Sequence, residues 1–211
     1  MNEITVSRAL VRLKTLDSQI RGEIEEMKDL ALAKPGKRAL TGYASEEEFT
    51  KQAVHTHDKV TGLIAERKKV KAAVVASNAQ TTVTVAGKSY TVAEAIERKN
   101  SLEYDKLLLR KLKEQYRAAV VNVERANNDL EANKVDRYIE SVYGKDAGTR
   151  DRSGEIQKAR QDYLDQNSWV MLDPLNLAQK IEALEEDIRT FEAEVDVVLS
   201  ESNATTSVMV E

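Results

Sequence analysis

Apolar side chains recur every three or four residues along most of this chain, and that spacing constrains the fold more than any other feature. The repeat runs through residues 6–30, 49–74, 102–130 and 177–198. In the third segment the positions seven apart are Leu102, Leu109, Tyr116, Val123 and Leu130. Such spacing forms a narrow apolar seam along a helix, as in a coiled coil. We predict a mainly all-α protein, a long antiparallel helical hairpin or coiled-coil bundle, with residues 1–211 as a single helical domain.

Capping signals indicate where the second and third long helices begin. Ser45 and Thr91 are each followed, three residues later, by a glutamate, Glu48 or Glu94. In a capping box the hydroxyl accepts from the backbone N–H of that glutamate, whose carboxylate reaches back to the cap. The first helix is expected to stop before Pro35, because the residue preceding a proline avoids helical backbone angles. The helix that follows Thr91 is expected to continue to about residue 140.

One segment, residues 78–92, changes from a helical to a two-residue period. Thr82–Val85 and residues 89–92 are rich in β-branched side chains and flank a turn that contains Gly87. This pattern predicts a β-hairpin inserted between two helices. An isolated hairpin is marginally stable in water, so we expect this one to pack on helices or on a neighbouring subunit.

The last third of the chain begins with an irregular region. Residues 144–172 are predicted to form a loop-rich insertion, with one short helix near 155–165. Asp173 followed by Pro174 favours a helix start, with Asp173 as the cap and Pro174 in the first turn. Residues 200–211 are expected to be a polar tail.

The composition argues against an enzyme. Charged residues make up 32% of the chain and aromatic residues 5%, which suits long helices that bury a narrow stripe. There is no cysteine, which excludes disulfides, thiolate zinc sites and cysteine nucleophiles. His55 and His57 lie two residues apart and do not share a helix face, so they are interpreted as surface residues. We predict no catalytic residues, no metal and no cofactor.

The net charge of −4 is unevenly distributed. Residues 59–71 are rich in lysine and arginine, whereas residues 182–211 are acidic. Four basic side chains are candidates for binding an anionic ligand: Arg67, Arg98, Lys99 and Arg110. The alternative is that these residues pair with nearby glutamates and with the acidic last helix. Arg67 also occupies a seam position, from which it either extends outward along its stem or reaches a carboxylate.

Three segments together resemble the septicolysin-like family of bacterial and phage helical proteins. They are the Ala-Leu-rich opening at residues 6–20, the stretch from Asn78 through Gly87 to the Ala-Glu-Ala-Ile start of a helix, and the Ser-Asn-Ala-Thr-Thr end of the last helix. The chain departs from the family pattern at Ala204, where a tryptophan is expected, and by an insertion at residues 136–172. The resemblance implies a helical fold and, because the family occurs in phages, a virion or accessory component.

These features predict a non-enzymatic, self-assembling structural or interaction protein. The alternative is an oligomeric binding module that sequesters a small anionic ligand or blocks a host protein. The expected partners are further copies of the chain and another phage or host protein. We expect no nucleic acid, because a basic face would be needed, and no membrane, because no apolar run approaches about 20 residues. The first ten residues lack a signal-peptide pattern, so the expected location is the cytoplasm, or the host cytoplasm or virion for a phage protein.

Overall fold

The computed structural model of the chain describes residues 2–32, 42–145 and 153–210. The helices are α1 Val6–Glu26, α2 Glu46–Gln80, α3 Val92–Asp129, α4 Val135–Tyr143, α5 Ser153–Asn167 and α6 Leu177–Thr205. The strands are β1 Asn2–Thr5, β2 Thr82–Val85, β3 Lys88–Thr91 and β4 Ser207–Val210. The predicted mainly all-α class is therefore confirmed. Of the described helices, none combines the length and the apolar character needed to cross a membrane.

The predicted helix starts at α2 and α3 are present. The Thr91 hydroxyl accepts from the backbone N–H of Glu94 at 3.1 Å, and the Glu94 carboxylate accepts from the backbone N–H of Thr91 at 2.7 Å. The Ser45 hydroxyl likewise accepts from Glu48 N–H at 3.1 Å. The Glu48 carboxylate, however, accepts from the backbone N–H of Ala44, the residue before the cap, at 2.8 Å. Both helices thus begin where the sequence indicated.

The long central helix contains a π-helical turn, Leu130–Lys134, that joins α3 to α4. Val135 donates its backbone N–H to the carbonyl of Leu130, five residues earlier. The buried side chains here are Leu130, Val135 and Ile139. A spacing of five and then four residues does not fit one face of a regular helix, and the wider turn returns these side chains to one face. The helix ends at Gly144, whose φ is +83°.

The chain forms two compact units, residues 1–101 with 190–211, and residues 102–189. In the first unit α1 and α2 are antiparallel, because Arg12 pairs with Glu66 near one end and Glu23 with Lys59 farther along. Their seam residues form most of one core cluster. It consists of Val6, Ala9, Leu13, Leu16, Val70, Val74 and Val208.

The two ends of the described chain form a sheet that the sequence analysis did not predict. β1 pairs antiparallel with β4, so that Ile4 lies opposite Val208. Val208 is buried in the α1–α2 core cluster, and Val6 N–H donates to the carbonyl of Thr206 at 2.9 Å. Residues 200–210, expected to be part of a polar tail, therefore complete α6 and then form a strand. The partner strand lies some two hundred residues away in sequence, beyond the reach of any local pattern.

The predicted β-hairpin is present as β2 and β3, and it packs on α6. The two turn residues, Ala86 and Gly87, both have positive φ, +50° and +71°, as a type I′ turn requires. Tyr90 contacts Phe191 edge to face, with ring centroids 5.9 Å apart. The backbone N–H of Ala86 donates to the Glu194 carboxylate at 2.7 Å. The hairpin thus has the helical support that two short strands need.

The second unit contains a separate core between α4 and α5. The rings of Tyr138 and Tyr163 stack with centroids 4.4 Å apart, next to the buried Val135 and Ile139. Asp136 forms an ion pair with Arg160 on the other helix. Helix α5 occupies residues 153–167 of the expected loop-rich insertion and agrees with the short helix predicted there.

The last helix begins three residues later than its capping signal suggested. Residues 174 and 175 form a turn, and Asn176 has φ +54°, which is not helical. Helix α6 therefore starts at Leu177. Asp173 still accepts a hydrogen bond from a helix N–H, that of Leu177 at 2.7 Å. The predicted start at Asp173–Pro174 is wrong because the intervening turn separates the acceptor from the helix it caps.

Candidate functional site

Arg67, the first of the predicted anion-binding residues, is occupied by an ion pair within the α1–α2 pair. Its guanidinium donates to the carboxylate of Asp17 on α1, and both side chains are partly buried. This hydrogen bond lowers the pKa of Asp17 and raises that of Arg67. Of the two alternatives for this seam position, the structure shows the one in which Arg67 reaches a carboxylate on a neighbouring helix.

Arg98 and Lys99 lie on the first turns of α3 and both contact α6. The Arg98 guanidinium carbon lies 5.7 Å from the centroid of the Phe191 ring, within cation–π range. The Lys99 ammonium pairs with Asp196 at 2.5 Å. This pairing agrees with the alternative in which basic residues neutralise the acidic last helix. Both side chains therefore stabilise the packing of α3 and the hairpin against α6.

Arg110 belongs to the second unit and lines a shallow groove of about 360 Å³ along α3. The groove residues are Lys106, Leu109, Arg110, Lys113, Glu114 and Arg117. Within the groove, Lys113 pairs with Glu185 of α6 at 2.7 Å. The four predicted residues thus have distinct surroundings: Arg67 contacts α1, Arg98 and Lys99 contact α6, and Arg110 lies in a different unit.

The described part of the chain offers no cluster of metal-ligating side chains. No group of three or more His, Cys, Asp or Glu side chains in residues 2–32, 42–145 and 153–210 is placed to hold a metal ion. His55 and His57 are both exposed, as predicted. Lys88 and Ser89, which follow Gly87 as in a phosphate-binding loop, lie in strand β3 and not at the start of a helix.

Exposed apolar side chains are the most prominent surface feature. In the described part of the chain, large apolar side chains that are exposed outnumber those that are buried. Tyr104, Leu107 and Leu108 form one group on α3, with exposed fractions of 74%, 42% and 50%. A second group follows α5, where Trp169 is 61% and Leu172 89% exposed. Apolar groups of this kind mark interaction surfaces when they are contiguous.

The segment that carries Trp169 is held in place through its backbone. The side-chain amide of Asn127 on α3 donates to the carbonyl of Trp169 at 3.0 Å and accepts from its N–H at 2.7 Å. This pair of hydrogen bonds fixes the backbone while leaving the indole exposed. Residues 169–172, Trp-Val-Met-Leu, form an apolar run in the sequence, but Asn127, 42 positions from Trp169, could not be identified as its anchor from sequence alone.

A groove of about 470 Å³ lies where the β1–β4 sheet meets α1 and α2, entirely within the first unit. Its lining residues are Asn2, Ile4, Arg8, Arg12, Glu66, Val70 and Val210. Sequence reasoning missed this groove. The spacing of Arg8 and Arg12, one helical turn apart on α1, was a visible signal. The pairing of β1 with β4, which builds the opposite wall of the groove, left no visible signal in the sequence.

Comparison of the chain with protein-family models, with curated proteins and with solved structures gave no match.

Proposed function

We propose that this chain is a non-enzymatic helical protein that self-associates through apolar side chains of α3. The observation that carries the proposal is that the seam is only partly buried. Its positions between 103 and 129 include Leu109, Leu112, Tyr116, Ala119, Val123 and Ala126. Among the described residues, none of these six is fully buried.

A seam of this kind is stable when a neighbouring helix covers it. Apolar side chains at seven-residue spacing pack as knobs into holes on a partner helix, which removes them from water. Along α3, contact with α6 through Lys113 and Glu185 leaves these side chains only partly buried. A further helix, supplied by a second copy, would complete their burial.

A second apolar group on α3 is exposed and is centred on the side of the helix away from the seam, so it extends the surface that a partner could cover. Tyr104, Leu107 and Leu108 are spaced three and four residues apart and therefore share one helix face. Full burial of one such side chain contributes about 1.5–3 kcal/mol. In a two-fold symmetric dimer each contact occurs twice, which helps to offset the entropy lost on association.

The resemblance to the septicolysin-like family is consistent with this function. Helical proteins of phages and bacteria that lack catalytic machinery serve through assembly, as virion or accessory components. A second phage or host protein that uses the same face is compatible with the proposal, but self-association is its first consequence.

The test is the solution mass of the chain by light scattering at micromolar concentration. Self-association predicts a multiple of the 23.6 kDa chain mass. The double variant Leu107→Gln/Leu108→Gln is expected to shift the mass towards the monomer while retaining the helical circular dichroism spectrum.

The matched control is Val54→Gln/Val75→Gln on α2, whose side chains are 55% and 53% exposed. This variant should keep the wild-type mass. A monomeric wild-type chain at all accessible concentrations, or equal effects of the two double variants, would show that the α3 face is not the assembly surface.

A further inference from the structure

The groove between the β1–β4 sheet and the α1–α2 pair combines an apolar floor with a positively charged rim. Ile4 of β1 and Val210 of β4 supply the apolar floor, and the fully buried Val70 of α2 lies behind them. Arg8 and Arg12 project from consecutive turns of α1 onto the rim. This combination goes beyond the proposed self-association, because it is a concave site for a ligand and not a helix face.

The charges on the rim do not cancel. Arg12 donates from Nε and from one terminal nitrogen to the same Glu66 oxygen, at 2.9 and 2.5 Å. Within the described part of the chain the guanidinium of Arg8 forms no ion pair; its backbone N–H alone is engaged, with the Thr5 hydroxyl at 3.3 Å. Among the described lining residues, two arginines against one glutamate leave a net charge of +1.

We propose that this groove binds a small monocarboxylate with an apolar body. A guanidinium presents parallel N–H donors that match the two oxygens of a carboxylate. The floor formed by Ile4 and Val210 accommodates the hydrocarbon part, and the groove volume falls in the range usual for small-molecule sites. Asn2, at the open edge, offers an amide for a further polar group of the ligand.

Other anions fit the groove less well. A polyphosphate or a nucleic-acid backbone carries several charges, whereas the rim supplies one cation beyond its internal pair. An uncharged apolar ligand would gain nothing from the guanidinium of Arg8, which is exposed to water. The chemistry of the lining therefore selects one negative charge joined to an apolar group.

The site also depends on both ends of the described chain. Asn2 and Ile4 belong to β1, and Val210 to β4, so the groove exists only while these strands are paired. A ligand that binds only this paired form stabilises it by mass action. Occupancy should consequently raise the melting temperature.

The experiment is a calorimetric titration of the full chain with octanoate at pH 7, accompanied by thermal melts. Octanoate should bind saturably and raise the melting temperature. Octanol, which has the apolar body without the charge, and acetate, which has the charge without the body, should each bind at least about tenfold more weakly. Inorganic phosphate should produce no saturable heat.

The decisive variant is Arg8→Ala, which should weaken octanoate binding at least about tenfold. Its matched control is Lys14→Ala, which removes one positive charge from an exposed position of α1 outside the groove. Arg8→Gln, which keeps much of the side-chain stem, should behave as Arg8→Ala and excludes loss of packing as the cause.

The proposal is overturned if millimolar octanoate binds without saturation, if phosphate binds as tightly as octanoate, or if Arg8→Ala and Lys14→Ala have equal effects. These results are independent of the light-scattering mass. Failure of the ligand site would leave the self-association proposal standing, and the reverse also holds.

Discussion

The substitution Leu16→Ala tests whether α1 and α2 form the core of the first unit. The Leu16 side chain is completely buried and belongs to the cluster that also contains Leu13, Val70 and Val74. Truncation removes three carbon atoms and leaves a cavity between two helices that are tied along their length by ion pairs. Buried Leu→Ala changes cost about 2–5 kcal/mol of the free energy of unfolding. We expect about 3 kcal/mol at this position.

The same helix provides a matched control in Leu10→Ala. Leu10 is 41% exposed, and alanine is at least as good a helix former as leucine, so the expected change is within about 0.5 kcal/mol. The assay is urea unfolding followed by circular dichroism at a single protein concentration. With a slope of about 2 kcal/mol per molar urea, Leu16→Ala should lower the midpoint by about 1.5 M. Equal midpoints for the two variants would refute the α1–α2 core.

Two further predictions concern the capping box and the hairpin turn. Hydrogen bonds from the Thr91 backbone N–H and, to a lesser extent, from its hydroxyl lower the pKa of Glu94. The ionised carboxylate therefore stabilises the fold at pH values above its unfolded pKa of about 4.3. This stabilisation is lost as the pH falls through the lower pKa of the folded state. Glu94→Gln should therefore reduce the difference in melting temperature between pH 7 and pH 3, and an unchanged difference would contradict the cap. At the turn, Ala86→Asn should stabilise the chain by about 1 kcal/mol, because Asn tolerates positive φ. Gly87→Ala should destabilise it by a similar amount. The added methyl group would meet no neighbouring atom within 4 Å, so this cost is backbone strain alone. Thermal melts measure both changes in stability. Changes opposite in sign to those expected would show that the turn is not type I′.

The helices could be predicted because their determinants are local. Seam residues seven apart, the Thr91–Glu94 capping box and the Gly87 turn act over a few positions. The capping box and the turn are found where expected, whereas the first seam continues to residue 30 in the sequence but α1 ends at Glu26. The π-helical turn was missed because the five-residue step from Leu130 to Val135 resembles an ordinary lapse in the apolar repeat. The β1–β4 sheet was missed because neither strand has a hairpin partner nearby in sequence.

The candidate binding residues show the same division. A basic run identifies positive charge, but the carboxylate that neutralises it depends on which helices become neighbours. Asp17 lies 50 positions from Arg67, and Asp196 lies 97 positions from Lys99. Arg8 did not attract attention in the sequence because its surroundings include a residue of β4. Charge can be read from the chain alone, whereas its compensation requires the tertiary contacts.

The pairing of β1 with β4 has a consequence for the order in which the protein is made. The first unit is discontinuous, since it combines residues 1–101 with residues 190–211, and the second unit lies between them in sequence. A ribosome therefore releases all of the second unit before the strand that covers Val6 and Val74 exists. Until residues 207–210 emerge, α1 and α2 can pair but their cluster lacks Val208. Contacts of such long sequence separation form slowly. Closure of the first unit therefore waits for residues 207–210, and until they arrive the α1–α2 pair has an uncovered apolar end.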